Sequence, residues 1–269
     1  MKLVVFFMGV LAVSGLRAGE GADASGGGGV SEGERRVILQ LTSIFENSTT
    51  ELCYGYCENI GDGRGFTFGF AGFTSGTFDG GEVIREYVRL RPVEGAGGNA
   101  LARFLPAFEA IDRGRHDSEG RNGDTRGLEG FAAAVKACGD DALFRQAQHV
   151  VADRLYWRPS QEAAERLGAK FAITRGELYD AFINHGEDGA LKIARAATRS
   201  AGGTPGDGVE ERKWLAAFLE ARMGVLKADK TWAESVDRVR VYQKILASGN
   251  VGLKLPIEVV CYGDRFVVK

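Results

Sequence analysis

The sequence predicts an α+β fold that is mostly helix, with one small β-wing. Three observations carry this expectation. Apolar residues recur at helical spacing in one segment after another between residues 35 and 247. Residues 66–78 instead alternate aromatic residues and threonine with glycine, the pattern of short strands and tight turns. The closing stretch, IEVVCYGDRFVVK, reads as short strand or extended chain.

Taken in order, residues 1–19 read as a secretory signal peptide: Lys2, then an apolar run over 3–13 too short to span a membrane, then small residues. Residues 20–34 are glycine-rich and polar, which predicts a flexible segment. The remainder, 35–269, is long enough for one large domain or two modest lobes. Val37, Ile38, Leu41, Ile44 and Phe45 form one stripe of a helix that should stop near Asn47. GGEVIREYVRL is a second helix, ended by Pro92, and NALARFLPAFEAI a third, interrupted or restarted at Pro106. Residues 113–127 are a polar, glycine-rich loop. Helices then follow over 128–137, 141–156, 160–170, 175–184, 188–199, 208–228 and 231–247, with a loop at 200–208.

Composition excludes several classes. The formal net charge is −2 and becomes −4 without Lys2 and Arg17, so nothing basic points to nucleic acid. No stretch after the leader is apolar enough for a membrane span. The four cysteines, Cys53, Cys57, Cys138 and Cys261, lack the spacing of a zinc site. An even count behind a secretory leader predicts two disulfides, and of the three connectivities we favour Cys57–Cys138. No metal or organic cofactor is implied, and monomer is the default.

The charged residues carry the functional reading. Glu46 ends an apolar helix, where an exposed surface glutamate is the ordinary expectation. Asp62 and Arg64 sit in GDGRG, where an Asp commonly bonds its own turn. That run lacks both the P-loop lysine and the GxGxxG spacing, so it is no phosphate cradle. Two carboxylates on different elements suit glycoside hydrolysis, in which one stays protonated and the other ionised. Inverting enzymes hold such a pair about 6.5–9.5 Å apart to admit a water. On the helix around Trp214, Phe218, Arg222 and Val225 share an apolar side, so Arg222 is expected to be buried and to need a partner. Asp180, set among Leu178, Tyr179 and Phe182, has the same need, and pairing the two meets both.

The ordered set FENSTT, ENIGDGRGFT, GFTSGTFD, FRQAQ, LYDAFINHG, FLEAR and GNVGLKLP…CYGDRF resembles the chitosanases of glycoside hydrolase family 46 over residues 35–269. The resemblance implies a lysozyme-like, two-lobed fold with a β-wing and a deep cleft. It implies Glu46 as general acid, Asp62 as general base and Thr67 as a holder of the attacking water, in inverting hydrolysis of β-1,4 glucosaminyl bonds. It further implies that Arg64 organises the base loop, that Asp79 and Glu58 bind a sugar ammonium, and that Asp180 and Arg222 belong to a charged network steadying the catalytic groups. His185 matches the family histidine. Arg238 and Asp229 are less securely aligned as a further network member and a cleft acid. The partner would be chitosan, a cationic polysaccharide that a cleft lined by acids attracts. A lysozyme-like peptidoglycan hydrolase and a non-catalytic chitosan-binding protein stand as alternatives. Asn47-Ser48-Thr49 is also a glycosylation sequon, directly after Glu46, and a glycan there would crowd the cleft, so Asn47 is expected to be unmodified.

Overall fold

The computed structural model describes residues 29–93, 98–118, 120–228 and 235–269. The expected leader, most of the glycine-rich segment and Asp229 lie outside the described residues.

Helix α1 (Glu32–Asn47) begins inside the segment expected to be flexible. Its start is fixed by a capping box: the Ser31 hydroxyl accepts from the Glu34 N–H, and the Glu34 carboxylate accepts from the Ser31 N–H. The expected stripe is the buried one, and the helix ends where Ser48 turns left-handed at φ 51°. Next comes the wing, a three-stranded antiparallel sheet of β1 (Cys57–Glu58), β2 (Thr67–Phe68) and β3 (Phe73–Thr74) in that spatial order. Its register sets Glu58 opposite Thr67 and Phe68 opposite Phe73.

Aromatic packing holds the wing to the helices. The Phe68 ring meets Phe131 edge-on with centroids 5.2 Å apart, and Phe108 and Phe104 meet the same Phe131 at 5.2 Å each. Each such pair contributes about 0.5–1.5 kcal/mol beyond its buried area. The turn between β2 and β3 is secured by the buried Gln148 side chain, which accepts from the Phe70 N–H (3.1 Å) and donates to the Tyr54 carbonyl (3.0 Å).

The remaining chain is predominantly helical. α2 (Asp79–Leu90) is followed by a short 3-10 turn and α3 (Leu105–Arg113), with Pro106 at its first turn. α4 (Phe131–Cys138) and α5 (Ala142–Ala152) follow; α5 runs through a π-turn at Asp153–Trp157 straight into α6 (Arg158–Leu167). The two helices expected over 175–184 and 188–199 are the two halves of α7 (Ala172–Ala201), which is broken between them at Gly186 with φ 67° and ψ 171°. α8 (Glu211–Ala228) and α9 (Val236–Ala247) precede a hairpin of β4 (Ile257–Cys261) and β5 (Asp264–Val268). Tyr262 (φ 52°) and Gly263 (φ 80°) make its two-residue turn.

Two apolar cores result. The larger joins α1, the wing, α2–α5, α9, the last hairpin and one side of α8 (Leu215, Leu219, Met223 and Leu226); the smaller is built from α6, the second half of α7 and the Trp214 and Phe218 side of α8. The first half of α7 lies where the two meet, with Tyr179 and Ile183 in one core and Leu178 and Phe182 in the other. On α8, Trp214, Phe218 and Arg222 are buried as expected, but Val225 is 48% exposed. The buried face turns through Leu226 instead, four residues on from Arg222. All four cysteines are free thiols, which corrects the expected disulfides, Cys57–Cys138 included. Cys138 and Cys261 are buried among apolar neighbours of the larger core and act there as small hydrophobes.

Candidate active site

Glu46 is the next-to-last residue of α1 and is 3% exposed, contrary to the ordinary expectation for a glutamate. The apolar pair before it, Ile44 and Phe45, draws the end of the helix into the core. A buried carboxyl requires a counter-charge, and Arg238 on α9 supplies it, with Nη1 2.6 Å from Oε1. Burial pushes the Glu46 carboxyl towards its protonated form, with Asp180 adding to the push and Arg238 opposing it. The Arg64 charge also reaches Glu46.

Behind Glu46 stands a chain of buried charges. Arg238 donates to Asp180 through Nη2 (2.6 Å) and Nε (3.2 Å). Asp180 Oδ2 lies 2.7 Å from Arg222 Nη2, the pair expected from the sequence. Arg222 then donates to Glu177 Oε1 (2.8 Å), Asn184 Oδ1 (3.1 Å) and His185 Nε2 (3.2 Å). Burial alone would push Asp180 up, but the two guanidiniums outweigh it and its carboxyl is held below the usual range. His185 is pushed well down by burial and by Arg222, which keeps the ring neutral and able to accept.

Asp62 sits on a loop whose flanking residues, Gly61 (φ 76°) and Gly63 (φ 82°), both occupy the left-handed region that favours glycine. Asp62 accepts from its own turn, the Arg64 N–H lying 3.1 Å from Oδ1, as a turn aspartate does. It also accepts from the Arg64 side chain, Nε to Oδ2 at 2.8 Å. Arg64 is itself buried, so the guanidinium is a fixed platform and the Asp62 side chain, 13% exposed, is the wetter partner.

The wing brings Thr67 and Glu58 side by side in the sheet. Thr67 is fully buried, yet its Oγ1 has no hydrogen-bond partner among the described residues. Glu58 is exposed, and Tyr56 donates to it at 3.3 Å. Asp79 lies at the start of α2 and is buried, with both oxygens engaged internally. Oδ1 accepts from the Thr74 and Gly80 N–H groups and the Thr77 hydroxyl, and Oδ2 from the Tyr156 hydroxyl. Burial pushes its carboxyl up to about 6 against those donors. The Asn47 side chain donates to the Phe70 carbonyl at 3.3 Å, tying the end of α1 to the wing. From the other side the Tyr262 hydroxyl donates to the Phe45 carbonyl at 3.2 Å.

The structure thus gathers Glu46, Asp180, Arg222 and His185 into one network and groups Asp62 with Arg64. Arg238, loosely placed in the sequence, is the central link. Glu177 was missed. Its signal was a polar stripe at i, i+3 and i+7, Glu177, Asp180 and Asn184, running along an otherwise apolar helix. Among the described residues no group of three or more His, Cys, Asp or Glu side chains is placed to hold a metal ion, and no helix is long and apolar enough to cross a membrane.

The family model for glycosyl hydrolase family 46 matches residues 40–257. The chain belongs to that family. It is 39% identical over 253 residues to a chitosanase of Bacillus subtilis (strain 168), covering 90% of this chain and 87% of that one. It is 33% identical to a chitosanase of Streptomyces sp. (strain N174), covering 87% and 82%. Among solved structures, a mutant chitosanase from Bacillus subtilis MY002 complexed with 6 GlcN superposes with a TM-score of 0.80 at 37% identity, covering 90% of this chain and all of that one. A Gynuella sunshinyii family 46 chitosanase in complex with chitotetraose also gives 0.80, at 39% identity, covering 90% and 99%. The mostly helical α+β, lysozyme-like family fold is therefore the fold of this glycoside hydrolase.

Proposed function

We propose that this family 46 hydrolase is a secreted, monomeric endo-chitosanase that cleaves β-1,4 glucosaminyl bonds with inversion. The observation that carries the reading is the contrast between its two carboxyl groups. Glu46 is enclosed and favours its proton. Asp62 stands on a polar loop with a guanidinium fixed against it. Environments that differ in this way separate an acid from a base.

In this mechanism Glu46 gives its proton to the departing glycosidic oxygen. Asp62 takes a proton from a water on the opposite face of the sugar, and that water attacks the anomeric carbon. The unpartnered Thr67 hydroxyl is available to hold the water. Each proton transfer contributes about 10²–10⁴-fold. The sugar ammonium groups are met by Glu58 on the exposed face of the wing; Asp79, buried with both oxygens bonded within the protein, supports the wing instead of the sugar. The substrate class is supported by the solved relatives, one complexed with 6 GlcN and one with chitotetraose.

The test is hydrolysis of a glucosamine hexamer by wild type, Glu46→Gln and Asp62→Asn, with NMR of the newborn anomer. Release of the α-anomer with both variants nearly inactive is expected. Release of the β-anomer would overturn inversion. Cleavage of bacterial cell walls but not of the hexamer would favour the peptidoglycan hydrolase, and binding without new reducing ends would favour the non-catalytic protein. Sequencing the N-terminus of protein recovered from culture medium tests the leader, and gel filtration tests the monomer.

A further inference from the structure

The buried chain of charges holds more acids than bases. Glu46, Asp180 and Glu177 are each at most 3% exposed, and among the described residues two buried guanidiniums, Arg238 and Arg222, pair with them. Arg64, whose charge also reaches Glu46, is paired with Asp62. Three ionised carboxylates would leave an uncompensated negative charge in the interior, which is prohibitively costly. The cluster therefore retains one proton.

Asp180 does not hold it, because Asp180 accepts from both guanidiniums. The candidates are the two ends, Glu46 on Arg238 and Glu177 on Arg222. Their surroundings differ. Glu177 faces Arg222 from α8, and Asp180 lies on its own helix, α7. From α9 it faces Arg238 and the Tyr242 hydroxyl. In one respect the ends are alike: Glu177 Oε2 and Glu46 Oε1 are both buried and accept no hydrogen bond among the described residues, although Arg238 Nη1 lies 2.6 Å from the latter. The neighbouring His185 is uncharged and contributes no balancing cation. Glu46 faces Arg238 from α9, Asp180 from α7 and Arg64 from the wing, while Tyr262 of the last hairpin also faces Arg238.

We propose that Glu177 is a positioning residue for the acid step. When ionised it neutralises Arg222, Asp180 then neutralises Arg238, and the one proton that the cluster must keep resides on Glu46. Glu177 touches no reacting atom. It acts through Arg222, Asp180 and Arg238 on the carboxyl at the far end, and this extends the reading of Glu46 as the acid. Burial pushes both terminal carboxyls up, Glu177 to about 7, as expected of two sites competing for one proton.

The sign of the test follows. Removing the negative charge of Glu177 leaves two guanidiniums facing Asp180 alone, so Glu46 is drawn into ionising and loses its proton at lower pH. In Glu177→Gln, kcat on a glucosamine hexamer should fall at least about tenfold more on the alkaline side of the optimum than on the acid side, with KM little changed. Glu177→Asp, which keeps the charge, should restore much of the wild-type profile. A Glu177→Gln profile of wild-type shape, merely scaled down, would mean that Glu177 only supports the fold and would overturn the proposal.

Should Glu177→Gln fail to fold, carbon-13 NMR of the glutamate carboxyls in the intact wild type decides. The Glu46 and Glu177 signals are expected to titrate as a coupled pair, each moving in both steps. Independent single-step titrations would overturn the proposal. This measurement does not depend on turnover. Coupled titration alongside an active Glu46→Gln would refute the acid assignment and leave the shared proton standing.

Discussion

Arg238 Nη1 lies 2.6 Å from Glu46 Oε1, and the same side chain spans to Asp180 with Nη2 2.6 Å from Oδ1. One guanidinium from α9 therefore joins the acid at the end of α1 to the charged stripe of α7. It also lies over the Phe45 ring, 5.3 Å from its centroid. Replacing Arg238 with Met leaves two buried carboxyls without their shared partner. The expected cost is about 3–5 kcal/mol in urea denaturation, together with a fall in kcat. A loss below about 1 kcal/mol would show that the pair is solvated rather than buried.

Thr67→Val separates chemistry from folding. The Thr67 hydroxyl is buried and bonds to nothing among the described residues. Valine keeps the shape and removes an unsatisfied group, so stability should hold or rise by about 1 kcal/mol. Because the water loses a partner, kcat should fall about 10–100-fold. Thermal unfolding and steady-state rates on the hexamer, measured on one preparation, check both halves; an unchanged kcat would remove Thr67 from the mechanism.

Asp79 gives stability a pH dependence of defined sign. Its carboxyl is pushed from 3.8 to about 6 in the folded protein. Between those values the native state binds a proton that the unfolded chain releases, so this group's contribution to stability rises as pH falls from about 6 towards 3.8. The shift corresponds to at most about 3 kcal/mol. Asp79→Asn should lack this rise, although it is less stable throughout because its amide faces four donors. Urea titrations of both proteins at pH 7 and pH 4 measure the difference, and parallel behaviour would refute the assignment.

Gly186→Ala tests the break in α7. The backbone there, φ 67° and ψ 171°, is a conformation that essentially only glycine adopts. The substitution should cost about 1–3 kcal/mol. Because Gly186 directly follows His185, it should also lower kcat; a neutral substitution would mean that the break relaxes without consequence.

Much of this architecture is legible in the residues, and the exceptions have physical causes. The α1 stripe, the wing and the Asp180–Arg222 pair follow from periodicity and from the rule that buried charge needs a partner. Glu177 was missed because a helical glutamate normally points to solvent, and its place on one stripe with Asp180 and Asn184 gains its meaning from the meeting of α7 and α8. The start of α1 was misjudged because Ser31 and Glu34 look like tether residues until they are recognised as a reciprocal cap. Val225 was placed inward by extending an apolar side beyond Arg222, where the helix had already rotated Leu226 into the core. The cysteine count suggested disulfides, yet burial alone accounts for Cys138 and Cys261.

The hydrogen bond from Tyr262 to the Phe45 carbonyl spans 217 positions of sequence. A chain leaving the ribosome presents the α1 helix early, while Arg238 and the last hairpin that secure its acid emerge only much later. Until they arrive, Glu46 has neither its counter-charge nor its anchor, and a partly synthesised chain carries a carboxyl of ordinary acidity. On the proposed reading of Glu46 as the acid, hydrolytic competence waits until Arg238 and the last hairpin have been made and folded onto α1.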